Sequence, residues 1–389
     1  MATTTTSTWL TNDRGAGKVG LLSPNAKAPI KVWAFFGAML IIFQTYVMIK
    51  WAAGPYFESV PPGPTEVPRG VKVGVWVNSI IFCVTGPLVV WFWAIRPRIR
   101  TKQWTTEGLV TIWCAVLAWT WDPVANMFNQ VYTYNSYALN MGSWVNSFPF
   151  WPGVNGGKPG AMMAEPLLMI PVGYTVGVVW FMFLTVAMMK WMRRRYPNLS
   201  NFSMILISAS TVSLFECVIE CAWIRTGFYG YRAAIPQLTL FDGQLYQFPI
   251  YEFVLAAALW AAGASFLYFK NDKGQTWAER GLERLTIGQK TSTMVRFCAV
   301  TAICTLIYLG SWMLPHAAIS LWSQEWPREA QERSYFTNHI CGPETDHSCG
   351  SPWLPLPGPH TAHFDPHGNV VVPPGVPQPG TESVTTFRP

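Results

Sequence analysis

Apolar residues run through this chain in long unbroken stretches rather than alternating with polar ones. Seven stretches stand out, at 30–49, 74–95, 106–121, 166–189, 203–223, 248–269 and 294–314. A membrane-spanning helix needs about 20 mostly apolar residues. Each stretch therefore predicts a span, although the third is short and stops at Trp121-Asp122-Pro123. The expected fold is all-α: a polytopic membrane helix bundle with about seven transmembrane helices and disordered polar tails. Its expected organisation is a polar tail at 1–29, a membrane domain at 30–314 and a Pro/Gly-rich tail at 315–389. The first apolar stretch is too long for a signal-peptide core and reads as a retained helix.

Composition agrees with this pattern. Half of the 389 residues are hydrophobic and only 12% are charged, with 21 Trp and 23 Phe. A soluble domain carries about 25% charged residues. The net charge of +7 does not point to nucleic acid, because the basic residues sit in short clusters between apolar runs. Seven spans put the amino tail and the second–third, fourth–fifth and sixth–seventh loops on one side. That side holds 18 of the 27 Lys and Arg. The positive-inside rule then predicts a plasma-membrane protein with a cytoplasmic amino terminus and an extracytoplasmic carboxyl terminus. Cys341 and Cys349 fall in the outer tail, where an oxidising compartment would allow a disulfide.

Carboxylates interrupt the apolar runs at five places: Asp122, Glu165, Glu216, Glu220 and Glu252. All five fall toward the outer ends of their spans, although the helices run in different directions. Carboxylates in a bilayer are costly and face the bundle interior or a water-filled cavity. Glu216 and Glu220 share one helix face, roughly 6 Å apart. Such a pair suits acid–base work, one carboxyl holding a proton while the other accepts one. The structural alternative pairs them with Arg225 and Arg232 of the following loop as anchors.

The loops at the same end are rich in aromatic and amide groups, in DPVANMFNQVYTYNSYALNMGSWVNSFPFWPG and RTGFYGYRAAIPQLTLFDGQLYQFPIYE. Candidate substrate-binding residues are Tyr132, Tyr134, Asn135, Trp144, Tyr229, Tyr246 and Gln247. This lining fits a lipophilic small molecule carrying several oxygens; an aromatic belt at the headgroup level would also use it. All six His lie at or beyond His316, outside the expected spans, so paired intramembrane haem ligands are missing. The seventh span holds no Lys for a retinal Schiff base. There is no phosphate-binding loop and no zinc-protease motif. Glu216-Cys217 with Glu220-Cys221 resembles a metal site only if a His joins it. The expectation is a site with no metal and no cofactor.

Several segments resemble the AveC-type spirocyclase family of integral membrane proteins: WDPVANMFNQVYTYNSYALNMGSWVN at 121–146, AEPLL at 164–168, ECVIE at 216–220, GFYGY at 227–231, YQFPIYE at 246–252 and KNDKGQTWAERGLERL at 270–285. The resemblance covers about residues 28–292. It implies closure of a dihydroxy-ketone polyketide into a spiroketal, or dehydration of the product. The matched positions that could bear this chemistry are Asp122, Tyr132, Tyr134, Asn135, Glu165, Glu216, Glu220, Tyr246 and Glu252. Two rival expectations use the same residues without catalysis: a carrier for a lipid, sterol or polyketide, and a proton-coupled transporter. The chain shows no internal repeat, which counts against the transporter. It says nothing about protein partners.

Overall fold

The computed structural model describes residues 28–337 except 56, 129, 150–162, 233, 324 and 325, together with a small strand pair at 363–364 and 370–371. The Cys341–Cys349 pairing lies outside the described residues, as does the first polar tail.

Among the described residues six helices are long and apolar enough to cross a membrane. They are α1 (Pro29–Ala52), the continuous helix Arg69–Thr101, α5 (Ile170–Arg195), α6 (Asn201–Ile224), α7 (Tyr251–Tyr268) and the continuous helix Gln289–Trp322. The Arg69–Thr101 helix is made of α2 (Arg69–Val90), a wide turn and α3 (Arg96–Thr101). The last is made of α8 (Gln289–Tyr308), a second wide turn, α9 (Leu314–Ile319) and a tight final turn. A further helical pair is apolar enough to cross but is bent. There α4 (Thr106–Val116) meets a 3-10 segment, Ala118–Asn126, at 53°. The short third apolar run is thus broken by a bend, and it ends as a tight helix that carries Asp122 and Pro123.

Both wide turns have the same cause. Proline lacks an N–H and its ring collides with the carbonyl four residues earlier. Pro97 and Pro315 each follow a π turn, Trp91–Ile95 and Leu309–Met313, that contains that earlier residue. The extra residue in the turn absorbs the collision and the helix continues. Pro315 therefore does not end the last span. His316 lies inside the helix, which corrects the expectation that every His falls outside the spans.

Local signals set the other ends. Thr105 caps α4 by accepting from Gly108 N at 3.0 Å, and Ser200 caps α6 through Ser203 N at 3.0 Å. α1 packs closely on α8, because a Cβ at Gly37 would lie 1.7 Å from the Cys298 carbonyl oxygen. Large apolar side chains cover the outside: Phe35, Ile42, Ile49, Phe202 and Val218 are all more than half exposed. That is the reverse of a soluble protein and suits a lipid-facing surface. The protein is a membrane helix bundle.

The KNDKGQTWAERGLERL segment closes the end of the bundle that carries the basic clusters. Glu279 is buried there and accepts from Thr106, from Thr276 and from Arg296 Nε at 2.8 Å. It is a buried acid with its cation in place.

Candidate functional site

The opposite end holds the other acids. Glu216 and Glu220 lie in the last turns of α6, Glu252 in the first turn of α7 and His316 on α9. Glu216, Glu220 and Glu252 are buried, and each places a carboxylate oxygen within 4.8 Å of the other two. Three oxygens this close could hold a small hard cation. His316 turns Nε2 onto Glu252 Oε2, and its Nδ1 lies 3.0 Å from the Trp312 carbonyl oxygen. A carbonyl only accepts, so Nδ1 carries a proton.

Arg225 and Arg232 do not neutralise this cluster. Arg225 lies over the rings of Tyr246 at 4.3 Å and Phe241 at 4.9 Å. Arg232 is buried, sits 4.3 Å over Phe336 and donates to the Tyr231 carbonyl at 3.2 Å. Burial pulls the Arg232 guanidinium down to about 9. The anchor expectation is not met: among the described residues neither arginine bridges to Glu216 or Glu220.

A two-stranded antiparallel ribbon crosses this end. β1 (Tyr132–Tyr134) pairs with β2 (Tyr229–Tyr231), Tyr132 opposite Tyr231 and Tyr134 opposite Tyr229. Each strand reads Tyr-x-Tyr, and strand alternation sends both tyrosines of a strand to the same face. Gly227, at φ +73°, turns the chain from α6 into β2. Tyr229 and Tyr231 donate to Glu220 Oε1, the second at 2.9 Å. Tyr132 and Tyr134 donate to Asp122 at 3.2 and 3.0 Å, and Tyr174 at the start of α5 donates to Asp122 too. Burial, with the Glu220 and Asp122 charges nearby, pushes the four ribbon phenols well above the ordinary tyrosine range. They act here as fixed donors.

Glu165 lies beside Asp122 and receives only the Ser143 hydroxyl, at 3.3 Å. Desolvation, then the Asp122 charge, lifts it well above the usual carboxylate range. Three phenols support Asp122, whereas no phenol supports Glu165.

Between the ribbon and the helices is a mostly apolar cavity of about 150 Å³. Of the five acids, Glu216 and Glu220 line it. Asp122 and Glu252 stand one layer behind, holding Tyr132, Tyr134, Tyr174 and His316, which do line it, and Glu165 lies behind Asp122. The five acids converge on one end, in two groups linked by the ribbon.

Four binding candidates lie elsewhere. Asn135 donates to the Gly227 carbonyl at 2.9 Å, and Trp144 donates to the Thr120 carbonyl at 2.8 Å. Gln247 donates to the Arg232 carbonyl at 3.0 Å, and Tyr246 lies under Arg225. They hold the loops that hold the ribbon. The sequence reading missed Tyr174, Trp223, Tyr231, Trp260, Tyr308, Trp312 and His316 in the wall. Tyr231 had a signal in the repeated Tyr-x-Tyr. His316 follows Trp312 by four residues, a helical step that only an uninterrupted helix makes visible.

The family model for AveC-like spirocyclases matches residues 99–336. The chain belongs to the AveC-like spirocyclase family. The match reaches past the last span to Phe336, whose ring carries Arg232. Every carboxylate of the site falls within the AveC-like region. No curated relative and no solved structure matches the chain.

Proposed function

We propose that this chain is a multi-pass plasma-membrane enzyme that cyclises or dehydrates a lipophilic, oxygenated polyketide- or lipid-like substrate by acid–base chemistry in the ribbon-capped cavity. The observation that carries this reading is the asymmetry of the pair. Glu220 accepts two phenol hydrogen bonds, which favour its anion relative to its neighbour's, whereas Glu216, one turn deeper, receives none from a tyrosine. Glu216 is the acid and Glu220 the base.

In spiroketal formation Glu216 gives its proton to the ketone oxygen as a substrate hydroxyl adds to the carbonyl carbon. Glu220 takes the proton from that hydroxyl. The proton returns to Glu216 across the carboxylate contact. Glu216 then protonates the hemiketal hydroxyl, which leaves as water. The second hydroxyl adds to the oxocarbenium ion and gives its proton to Glu220. One dihydroxy-ketone becomes one spiroketal and one water, and a second proton return from Glu220 to Glu216 leaves both glutamates as they began. The anionic Glu220 and the phenol dipoles sit where positive charge develops. Support comes from family membership and from the buried pair in the cavity wall. On the basic-cluster asymmetry the amino terminus is cytoplasmic and the cavity lies toward the outer leaflet.

The test compares molecules extracted from purified wild-type protein and from Glu216→Gln. The variant should retain a compound heavier by one water than the wild-type product. Identical masses in both would make the protein a carrier.

A further inference from the structure

Among the buried polar atoms of the cavity-wall residues that have no hydrogen-bond partner are Glu220 Oε2, Trp223 Nε1 and Trp260 Nε1. Trp260 is 2% exposed and Glu220 8%. Buried polar groups are almost always paired, so each unpaired one asks what it meets in use. An indole N–H only donates and a carboxylate oxygen only accepts. The complement is a ligand with acceptor oxygens for the two indoles and a hydroxyl for Glu220. Among the described residues the wall contains no Lys or Arg, and Arg225 and Arg232 are committed to aromatic rings and carbonyls. An anionic ligand would meet Glu216 and Glu220 without a cation, and a cationic group could not accept from the two indole N–H groups, so the ligand is neutral.

Size adds a second constraint. A cavity of about 150 Å³ accommodates roughly one benzene-sized ring. The rest of a larger molecule lies outside it. On the lipid side the wall is formed by Gly173 and Gly177 of α5 and Ile219 of α6, which is 38% exposed. A Cβ built on Gly177 would meet nothing within 4 Å. Leu214, Phe215 and Val218 beside this gap are exposed apolar residues of the bilayer-facing surface.

We propose that the cavity binds a neutral, ring-sized oxygenated segment between Glu220 and the indole donors of Trp223 and Trp260, while the apolar remainder passes over Gly177, between α5 and α6, into the lipid. This rests on the cyclase reading only for the ligand being oxygenated.

The experiment measures binding to the full chain in detergent by ligand-observed NMR. The probes are a hydroxyl-bearing spiroketal of two six-membered rings, its all-carbon counterpart with the same hydroxyl, and both compounds carrying a dodecyl chain. The spiroketal should bind at least ~10-fold tighter than the carbocycle, the scale of a recovered buried hydrogen bond. Trp260→Phe should remove that preference without changing carbocycle affinity. Trp223→Phe, at a half-buried site, gives the same test if the first variant melts early. Gly177→Leu should weaken the dodecyl spiroketal at least ~10-fold more than the bare one. Equal affinity for the two bicycles, a preference that survives both Trp variants, a Gly177→Leu effect indifferent to the dodecyl chain, or displacement of the spiroketal by dodecanoate would each overturn the assignment. These readouts need no turnover. If they fail while Glu216→Gln still accumulates the hydrated precursor, the reaction stands and this binding mode does not.

Discussion

Tyr231 donates its phenol to Glu220 across 2.9 Å, and Tyr132, paired with it across the ribbon, donates to Asp122 across 3.2 Å. One backbone pairing thus fixes a donor on each of two buried carboxylates. The ribbon couples the end of α6 to the end of the bent span. If the phenols set the charge of Glu220, their loss should be felt in turnover before stability. A hydrogen bond to a charged group is worth about 1.5–3 kcal/mol. We expect Tyr231→Phe to slow product formation by roughly 10- to 100-fold with the chain still folded, and the double change with Tyr229→Phe to slow it further. Product formation and melting temperature, read together, check this. Undiminished turnover in the double variant would remove the phenols from the chemistry.

The Glu252–His316 contact is fully buried, with side-chain exposures of 0% and 1%. His316→Ala would leave Glu252 with both oxygens unpartnered, since Oε1 already lacks a partner. Breaking a buried pair in this way costs on the order of 3–5 kcal/mol. We expect His316→Ala to melt well below wild type and a second change, Glu252→Gln, to recover most of the loss. A double-mutant cycle with no coupling would show that the contact does not hold α7 to α9.

The helices were legible because lipid imposes a single demand, long apolar runs, on every span. The convergence of Asp122, Glu165, Glu216, Glu220 and Glu252 was legible for the same reason: span direction fixes which end each one occupies. The last span was not, because Pro315 reads as a stop and only the π turn before it shows that the helix continues. That hid His316. The loops misled in another way. Asn135 and Gln247 looked like ligand contacts, yet buried loops need side-chain amides to satisfy their own backbone. The tyrosines divide by a period of two that three-residue strands barely display.

Glu165 provides a pH test outside the spans. Its carboxyl is pushed up by desolvation and by Asp122. The unfolded chain releases this proton near the ordinary value of 4.5, while the folded chain keeps it to higher pH. Below that value both states are protonated and Glu165 favours neither. As pH rises above 4.5 the unfolded state gains by ionising, so wild-type stability from this site falls until the folded carboxyl also titrates. Glutamine cannot ionise. We expect the melting temperature of Glu165→Gln, relative to wild type, to climb as pH goes from 4.5 toward neutral. A pH-independent difference would mean that Glu165 is not held protonated in the fold.

The bent pair at 106–126 decides topology. If it crosses the membrane there are seven spans, and the two tails emerge on opposite faces. Cysteines introduced at Ser23 and Thr381 should then label from opposite sides, with residue 23 reached only from the cytoplasm. Labelling of both from one face would make the pair a re-entrant hairpin and leave six spans.

Glu216 and Glu279 are both buried acids, and their surroundings predict opposite behaviour. Glu279 meets Arg296 and two threonines. Glu279→Gln should therefore lower expression and melting temperature, by the roughly 3–5 kcal/mol of a broken buried pair. Among the described residues Glu216 has no cation, and it lines the cavity. Glutamine keeps its shape but cannot give a proton. Glu216→Gln should leave the fold and ligand binding intact while turnover drops by ~10²–10⁴, the scale of losing an acid–base group. The three-carboxylate cluster allows a distinct outcome. If wild-type protein binds an equivalent of Mn²⁺ that Glu216→Gln releases, and chelators abolish turnover, the lost group is a metal ligand and the proton is not the agent. If chelators leave turnover unchanged and Glu216→Gln is folded but slow, the proton on Glu216 is the agent. If Glu216→Gln turns over at the wild-type rate, or is inactive only because it melts, then Glu216, like Glu279, holds the helix ends together and the acid must be sought elsewhere in the wall.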